Sequence, residues 1–111
     1  MAVLLIDPGQ LSTELKLEAM TPAPDGAGGF AESWAEIALV FARIEPASVR
    51  DRFGAGQTLE EVTHRITLRH RAGVASGMRL SRGDRNFDIA TVHDPDETGR
   101  YLVCRVREVG Q

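Results

Sequence analysis

A mainly β fold is expected for this chain: a small antiparallel barrel or sandwich of about six strands, with long loops and at most one short helix. Three observations carry that expectation. Residues 60–71, EEVTHRITLRHR, alternate, with Val62, His64, Ile66, Leu68 and His70 on one face and Thr63, Arg65, Thr67, Arg69 and Arg71 on the other. Alternating segments recur along the chain between breaks rich in glycine, proline or aspartate. Finally, 111 residues with 42% hydrophobic but only 5% aromatic content make one domain, 1–111, filled mostly by branched aliphatics. A chain of this length buries roughly 65% of its unfolded surface, enough for a core without disulfide or metal staples.

The elements follow in order. MAVLLI is a short apolar run that stops at Asp7-Pro8-Gly9, where proline fixes φ and glycine permits a turn. The run is too short for a membrane span and lacks the basic leader of a signal peptide, so synthesis in the cytoplasm is expected. STELKLEAM, 12–20, sets Leu15, Leu17 and Ala19 against Glu14, Lys16 and Glu18 and is expected as the first strand. TPAPDGAGGF, 21–30, holds two prolines and three glycines and is expected as a mobile hairpin loop. Residues 31–45 favour a helix by alanine and glutamate content, yet Ile37, Leu39 and Phe41 alternate. A strand here would pair back onto 12–20, and strand is the reading adopted, with Pro46 as its end.

Residues 47–60 have no sustained period and are expected as a second mobile loop. The arginine-bearing strand spans about 61–71, and AGVASG, 72–77, forms a turn. Strands at 78–82 and 86–93 flank a Gly83-Asp84 hairpin turn. DPDETG, 94–99, is a polar turn before the last strand, YLVCRVREV, 101–109. Cys104 shares a face there with Leu102 and Val106, which predicts a buried thiol; a lone cysteine also excludes an internal disulfide.

No pattern for catalysis emerges. His64 and His70 share a strand face but lie roughly 20 Å apart, too far to bind one metal. With His93 they are expected as structural or surface side chains, and no zinc spacing exists. Asp94, Asp96 and Glu97 lack the spaced ligands of a calcium loop. The glycines of FGAGQ and DGAGG lack the lysine and the strand–helix context of a phosphate loop. Ser12, Ser33, Ser48, Ser76 and Ser81 have no nucleophile-elbow context. The expectation is therefore a protein without catalytic, cofactor or metal residues.

Charge distribution points to docking instead. The net charge of −3 conceals an acidic first half, with two basic and seven acidic residues up to Val49. From Arg50 onward there are eleven arginines and nine acidic residues. Arginine pairs bidentately with carboxylates and is enriched at interfaces. Arg65, Arg69 and Arg71 on one strand, Arg105 and Arg107 on the last, and Arg50 and Arg52 in the 47–60 segment are the candidate interface or channel residues.

The ordered series of these segments resembles the head-tail joining family (head-completion or stopper proteins) of long-tailed phages and related particles. The similarity covers about residues 6–109. It rests on the Asp25, Gly26 and Gly29 loop, Ser33-Trp34, and Val40-x-Ala42-x-Ile44-Glu45-Pro46. Ala55-Gly56-Gln57, Val62 to Arg69, Met78-Arg79-Leu80, Phe87-Asp88-Ile89, Asp94-Pro95 and the strand of Leu102 and Cys104 continue it. Trp34 lacks a second aromatic often found in the following strand; Phe41 stands elsewhere. The resemblance implies a small β-barrel that assembles with itself as a ring, expected sixfold, in the virion neck. Such a ring sits below the portal and its adaptor and above the tail terminator or tube. DNA passes through its channel, which some members narrow to retain the genome. No membrane or cofactor is implied, and an infectious phage, a defective prophage and a gene-transfer particle remain equal sources. The alternative reading is a monomeric small β-barrel module binding single-stranded nucleic acid, for which an aromatic platform and a basic balance would be expected.

Overall fold

A closed antiparallel barrel in the order β1-β2-β5-β8-β7-β6 forms the body of the molecule. The structure, a computed structural model, describes residues 7–48 and 62–109 and, between them, the backbone of two short paired segments. The strands are β1 (Thr13–Pro24), β2 (Phe30–Pro46), β3 (Phe53–Gly54), β4 (Gln57–Thr58), β5 (His64–Arg69), β6 (Arg79–Arg82), β7 (Arg85–His93) and β8 (Tyr101–Val109). β3 and β4 pair only with each other. A 3-10 turn at Pro8–Gln10 precedes β1, where the Asp7 carboxylate accepts the Gly9 N–H at 2.9 Å. The six expected strands are all present, and the barrel alternative is the one realised.

Inward positions explain the closure. Leu15, Leu17, Val40, Ala42, Ile66, Leu68, Leu80, Phe87, Ile89, Leu102, Cys104 and Val106 form one buried cluster. Phe87 is the one aromatic ring in that cluster, so branched aliphatics fill the interior as composition requires. The His64 ring meets Phe87 edge-on, centroids 5.5 Å apart, which accounts for its half-buried place on the inner side of β5. Closing the sheet leaves the barrel body without an unpaired edge. Two bulges assist the curvature, at Ile37 opposite Leu17/Glu18 and at Ala90 opposite Arg105/Val106. The β6–β7 turn holds Gly83 at φ +57, the left-handed conformation that the first central position of this two-residue hairpin loop takes and that glycine adopts without strain.

Within 47–60, expected as a loop, the short β3–β4 pair is formed, and the expectation for 21–30 also needs correction. The segment 21–30 is mostly strand, because β1 continues through Pro24 and β2 begins at Phe30, with Ala23 opposite Ala31 and Pro24 opposite Phe30. Prolines are tolerated here because β1 has lost its second neighbour. It meets β6 only through residues 16–18, so the missing N–H costs no ladder bond on the open side. Only residues 25–29 turn. The Asp25 carboxylate accepts the N–H groups of Ala27 (2.8 Å) and Gly29 (3.1 Å), while Gly26 and Gly28 take φ of +82 and +86. Those two N–H bonds hold the Asp25 carboxyl below its ordinary range.

β2 likewise meets β5 only through residues 42–46. Beyond these limits residues 19–24 and 30–35 run on as a two-stranded arm, about 20 Å long at roughly 3.3 Å per residue. The arm makes the molecule elongated, 53 × 30 × 23 Å. Its radius of gyration is 15.0 Å, against about 13 Å for a compact domain of this length.

Candidate assembly interface

Two surfaces stand out: the outer face of the arm with the adjoining part of β2, and the arginine-bearing outer face of β5 and β8. On β2, Val40 and Ala42 face the core, which turns Leu39 and Phe41 outward. The bulge at Ile37 resets the phase, so Glu36, Trp34, Glu32 and Phe30 continue that outward face toward the tip. Phe30 is 73% exposed and Phe41 56%, and Ile37, Leu39 and Met20 are exposed too. A chain poor in aromatics thus places three of its six (Phe30, Trp34 and Phe41) on one strand outside its core. A row of that kind makes this face a candidate interaction surface.

The base of the arm is fixed to the barrel. Arg79 on β6 pairs in register with Glu18 on β1, and its Nε donates to the Glu18 carboxylate at 2.8 Å. Its guanidinium also lies over the Trp34 ring. Burial pushes the Glu18 carboxyl up, but hydrogen bonds from Arg79 and Ser81 and the charges of Arg79 and Lys16 outweigh it, holding the group below its ordinary 4.5. A polar cleft of about 440 Å³ beside this pair is lined by Lys16, Ser81, Asp84 and Asn86.

On the second surface, Arg65 and Arg69 of β5 share the outer face with Arg105 and Arg107 of β8, as alternation requires. Arg65 stands directly opposite Arg105, a like-charge pairing that costs stability unless neutralised. Glu45, opposite Arg65 on the other side, supplies the neutralising charge at 3.1 Å and also meets Arg43 at 3.3 Å. Arg107 approaches Asp88 at 3.9 Å. Arg71 departs from the expected row: β5 ends at Arg69, and Arg71 lies beyond it, donating to the Ala72 carbonyl at 3.4 Å. Arg50 and Arg52 lie outside the described residues, as does most of the 47–60 segment.

Between the two surfaces is a groove of about 420 Å³, lined by Pro8, Leu11, Leu39, Phe41, Arg69 and Arg71 among others. It opens where β5 has ended and β2 runs on paired with β1 alone. Sequence reasoning missed this groove, the arm and the Arg79–Trp34 contact. The available signal was the run Phe30, Glu32, Trp34, in which aromatics alternate with acids instead of with core aliphatics.

Other polar groups are used internally. Asp94 and Asp96 accept N–H bonds from within their own turn, including Gly99 to Asp94 at 2.7 Å and Thr98 to Asp96 at 3.2 Å. Arg100 pairs with the buried Asp96 at 2.9 Å. Arg85 and Glu108 form a two-bond pair at 2.7 and 3.1 Å, which holds the Glu108 carboxyl low and raises the arginine. Among the described residues no three metal-ligating side chains come together, and no helix is long and apolar enough to cross a membrane. Toward the arm's tip Phe30 stands with Asp25 and Glu32, and residues 17–42 carry no lysine or arginine, a sign that repels a phosphate backbone and weighs against the single-strand-binding alternative.

A family model for the phage head completion protein matches residues 6–109. The chain belongs to the phage head completion protein family. A chain in the virion of a native gene transfer agent particle is similar at 29% identity with a TM-score of 0.64, covering 88% of this chain and 94% of that one. The fold is also shared with protein SF1141 from Shigella flexneri 2a, solved in solution, at 21% identity and a TM-score of 0.69 over 96% of this chain and 99% of that one. No curated protein matches the chain. As a head completion family member the chain is a structural component of a phage-type particle, with other particle components as its partners.

Proposed function

We propose that this head completion protein is a neck subunit that joins the DNA-filled head to the tail. Copies assemble as a ring below the portal or adaptor and above the tail terminator or tube, and the ring helps retain the packaged genome. The observation that carries this reading is the family match over 104 of 111 residues. The molecule's outward surfaces support a gripping role: an exposed aromatic row on one side and an arginine face on the other, with no cluster suited to catalysis among the described residues. Membership of a structural particle family favours a non-enzymatic role. A ring requires two different complementary surfaces on one subunit, a heterologous interface that closes.

The test is a deletion of the gene in cells making the particle, with electron microscopy of the products. DNA-filled heads without tails, or heads that have lost DNA, are expected, and labelled protein should mark the neck of complete particles. Complete tailed particles from the deletion strain would overturn the reading. Reversing Arg50 and Arg52 to glutamate together should block completion while leaving the subunit folded. Normal particles from that variant would remove those arginines from the channel or adjacent-ring contact.

A further inference from the structure

We propose that the acidic arm of one copy docks on a second copy of this chain, seating Phe30 in the groove between β2 and the end of β5, with Glu32 facing Arg69 and Arg71. The proposal rests on the ring reading above and specifies its lateral contact. Phe30 is the most exposed large apolar side chain described, and it stands at the arm's tip beside a turn held by Asp25. The groove offers Leu11, Leu39 and Phe41 as an apolar floor and about 420 Å³ of space, ample for a phenyl ring.

The charges match. Residues 17–42 carry Glu18, Asp25, Glu32 and Glu36 and neither lysine nor arginine. Glu18 is engaged by Arg79, while Glu32 lies exposed on the same outward face as Phe30. At the groove, Arg69 is exposed and has no ion-pair partner among the described residues, and Arg71 is beside it. An arginine fork meeting a carboxylate at the rim of an apolar contact gives it direction as well as affinity.

Geometry also fixes the occupant as a second molecule. Phe30 and Phe41 lie on the same continuous strand, eleven positions apart, roughly 35 Å along an extended chain. A paired strand cannot fold back to bring its own tip into a groove at its own base. Tip-to-groove contact between successive copies is head-to-tail, the arrangement that closes into a ring.

The test is cross-linking of the full chain within assembled particles. In the double variant Ala31→Cys/His70→Cys, one cysteine sits beside the arm tip and the other at the groove rim, and a short bismaleimide links them. Cys104 is buried and does not compete. Expected is a ladder of linked subunits from the double variant, dimers at most from either single variant, and loss of the ladder when Phe30→Ala is added. Particles that contain the protein in the neck but yield no ladder would overturn the docking and leave the neck reading intact. Linkage to a different particle protein would overturn the second copy as occupant. Absence of the protein from particles would remove the neck reading and this inference together. Independently, Glu32→Arg or Arg69→Glu should each lower particle yield about tenfold, the loss that ~1.4 kcal/mol of contact free energy produces. The two reversals combined should restore it. Failure of the combined variant to recover, with both proteins folded, also counts against the pairing.

Discussion

The guanidinium of Arg79 lies 4.2 Å from the centre of the Trp34 ring, joining a short barrel strand to the arm that leaves the barrel. The same side chain bonds Glu18, at the last residue where β1 still touches β6. One arginine therefore ties the base of the arm to the barrel. A guanidinium over an indole contributes about 0.5–2 kcal/mol. Arg79→Ala loses that contact and the Glu18 bond together, so it should lower stability by more than that amount in a denaturant melt and shift the emission of Trp34, the chain's one tryptophan, to the red as the ring gains water. Arg79→Lys should recover little, because an ammonium does not reproduce the planar fork. An unchanged emission spectrum in Arg79→Ala would show that the ring does not depend on this contact.

The same contact gives a pH dependence whose sign is fixed. Glu18 has a folded pKa below its ordinary 4.5, so the stability it contributes is present above the unfolded value. That contribution is lost as pH falls through the folded one. Acid titration followed by Trp34 emission should therefore show a transition with its midpoint below 4.5. Glu18→Gln should abolish it. Glu108→Gln, which removes the partner of Arg85 and touches neither Glu18 nor Arg79, should leave the Trp34 transition in place.

Much of this fold was legible because period-two patterning marks strands whether or not their partners are known. Leu15 and Leu17, Ile66 and Leu68, and Leu102, Cys104 and Val106 all face the core as alternation implies. The Gly83-Asp84 turn was equally plain, since few residues suit a two-residue hairpin. What stayed hidden depends on neighbours distant in sequence. Pro22 and Pro24 read as strand breakers, yet they sit where β1 has one free edge, so proline does no harm. Ile37, Leu39 and Phe41 announced a strand, but alternation alone does not say which phase faces inward; the smaller Ala38, Val40 and Ala42 took the core because opposing leucines already fill it. The arginine row was expected to reach Arg71, but β5 stops at Arg69, where His70 turns its N–H to the Arg100 carbonyl at 2.9 Å. The contact of Arg79 with Trp34 had no local signature at all.

Cys104 offers a test of the barrel's integrity. It is fully buried in β8, and burial pushes its thiol up to about 12. The reactive thiolate is therefore scarce at neutral pH and shielded from reagents. Thiol titration of the native protein at pH 8 should find no fast-reacting group, and one equivalent should appear on unfolding. Replacing Cys104 with serine should cost about 1–3 kcal/mol, since a hydroxyl there would be buried among apolar neighbours without an assured partner. Rapid modification of the native chain would mean that the barrel opens readily or that β8 is not enclosed.

Two phenylalanines should separate folding from assembly. Phe87 is fully buried at the centre of the core, whereas Phe30 stands 73% exposed on the arm. Truncating a buried phenylalanine loses its transfer free energy and leaves a cavity, about 3–5 kcal/mol in total. Phe87→Ala should therefore unfold at much lower denaturant concentration and give little soluble protein. Phe30→Ala removes no internal contact of comparable weight, and its stability should stay within about 0.5 kcal/mol of the parent. If Phe30 were retained for folding, its replacement would move the unfolding midpoint. If it serves a neighbouring molecule, the isolated subunit should melt unchanged while particle completion fails, and measuring both on the same variant distinguishes the two.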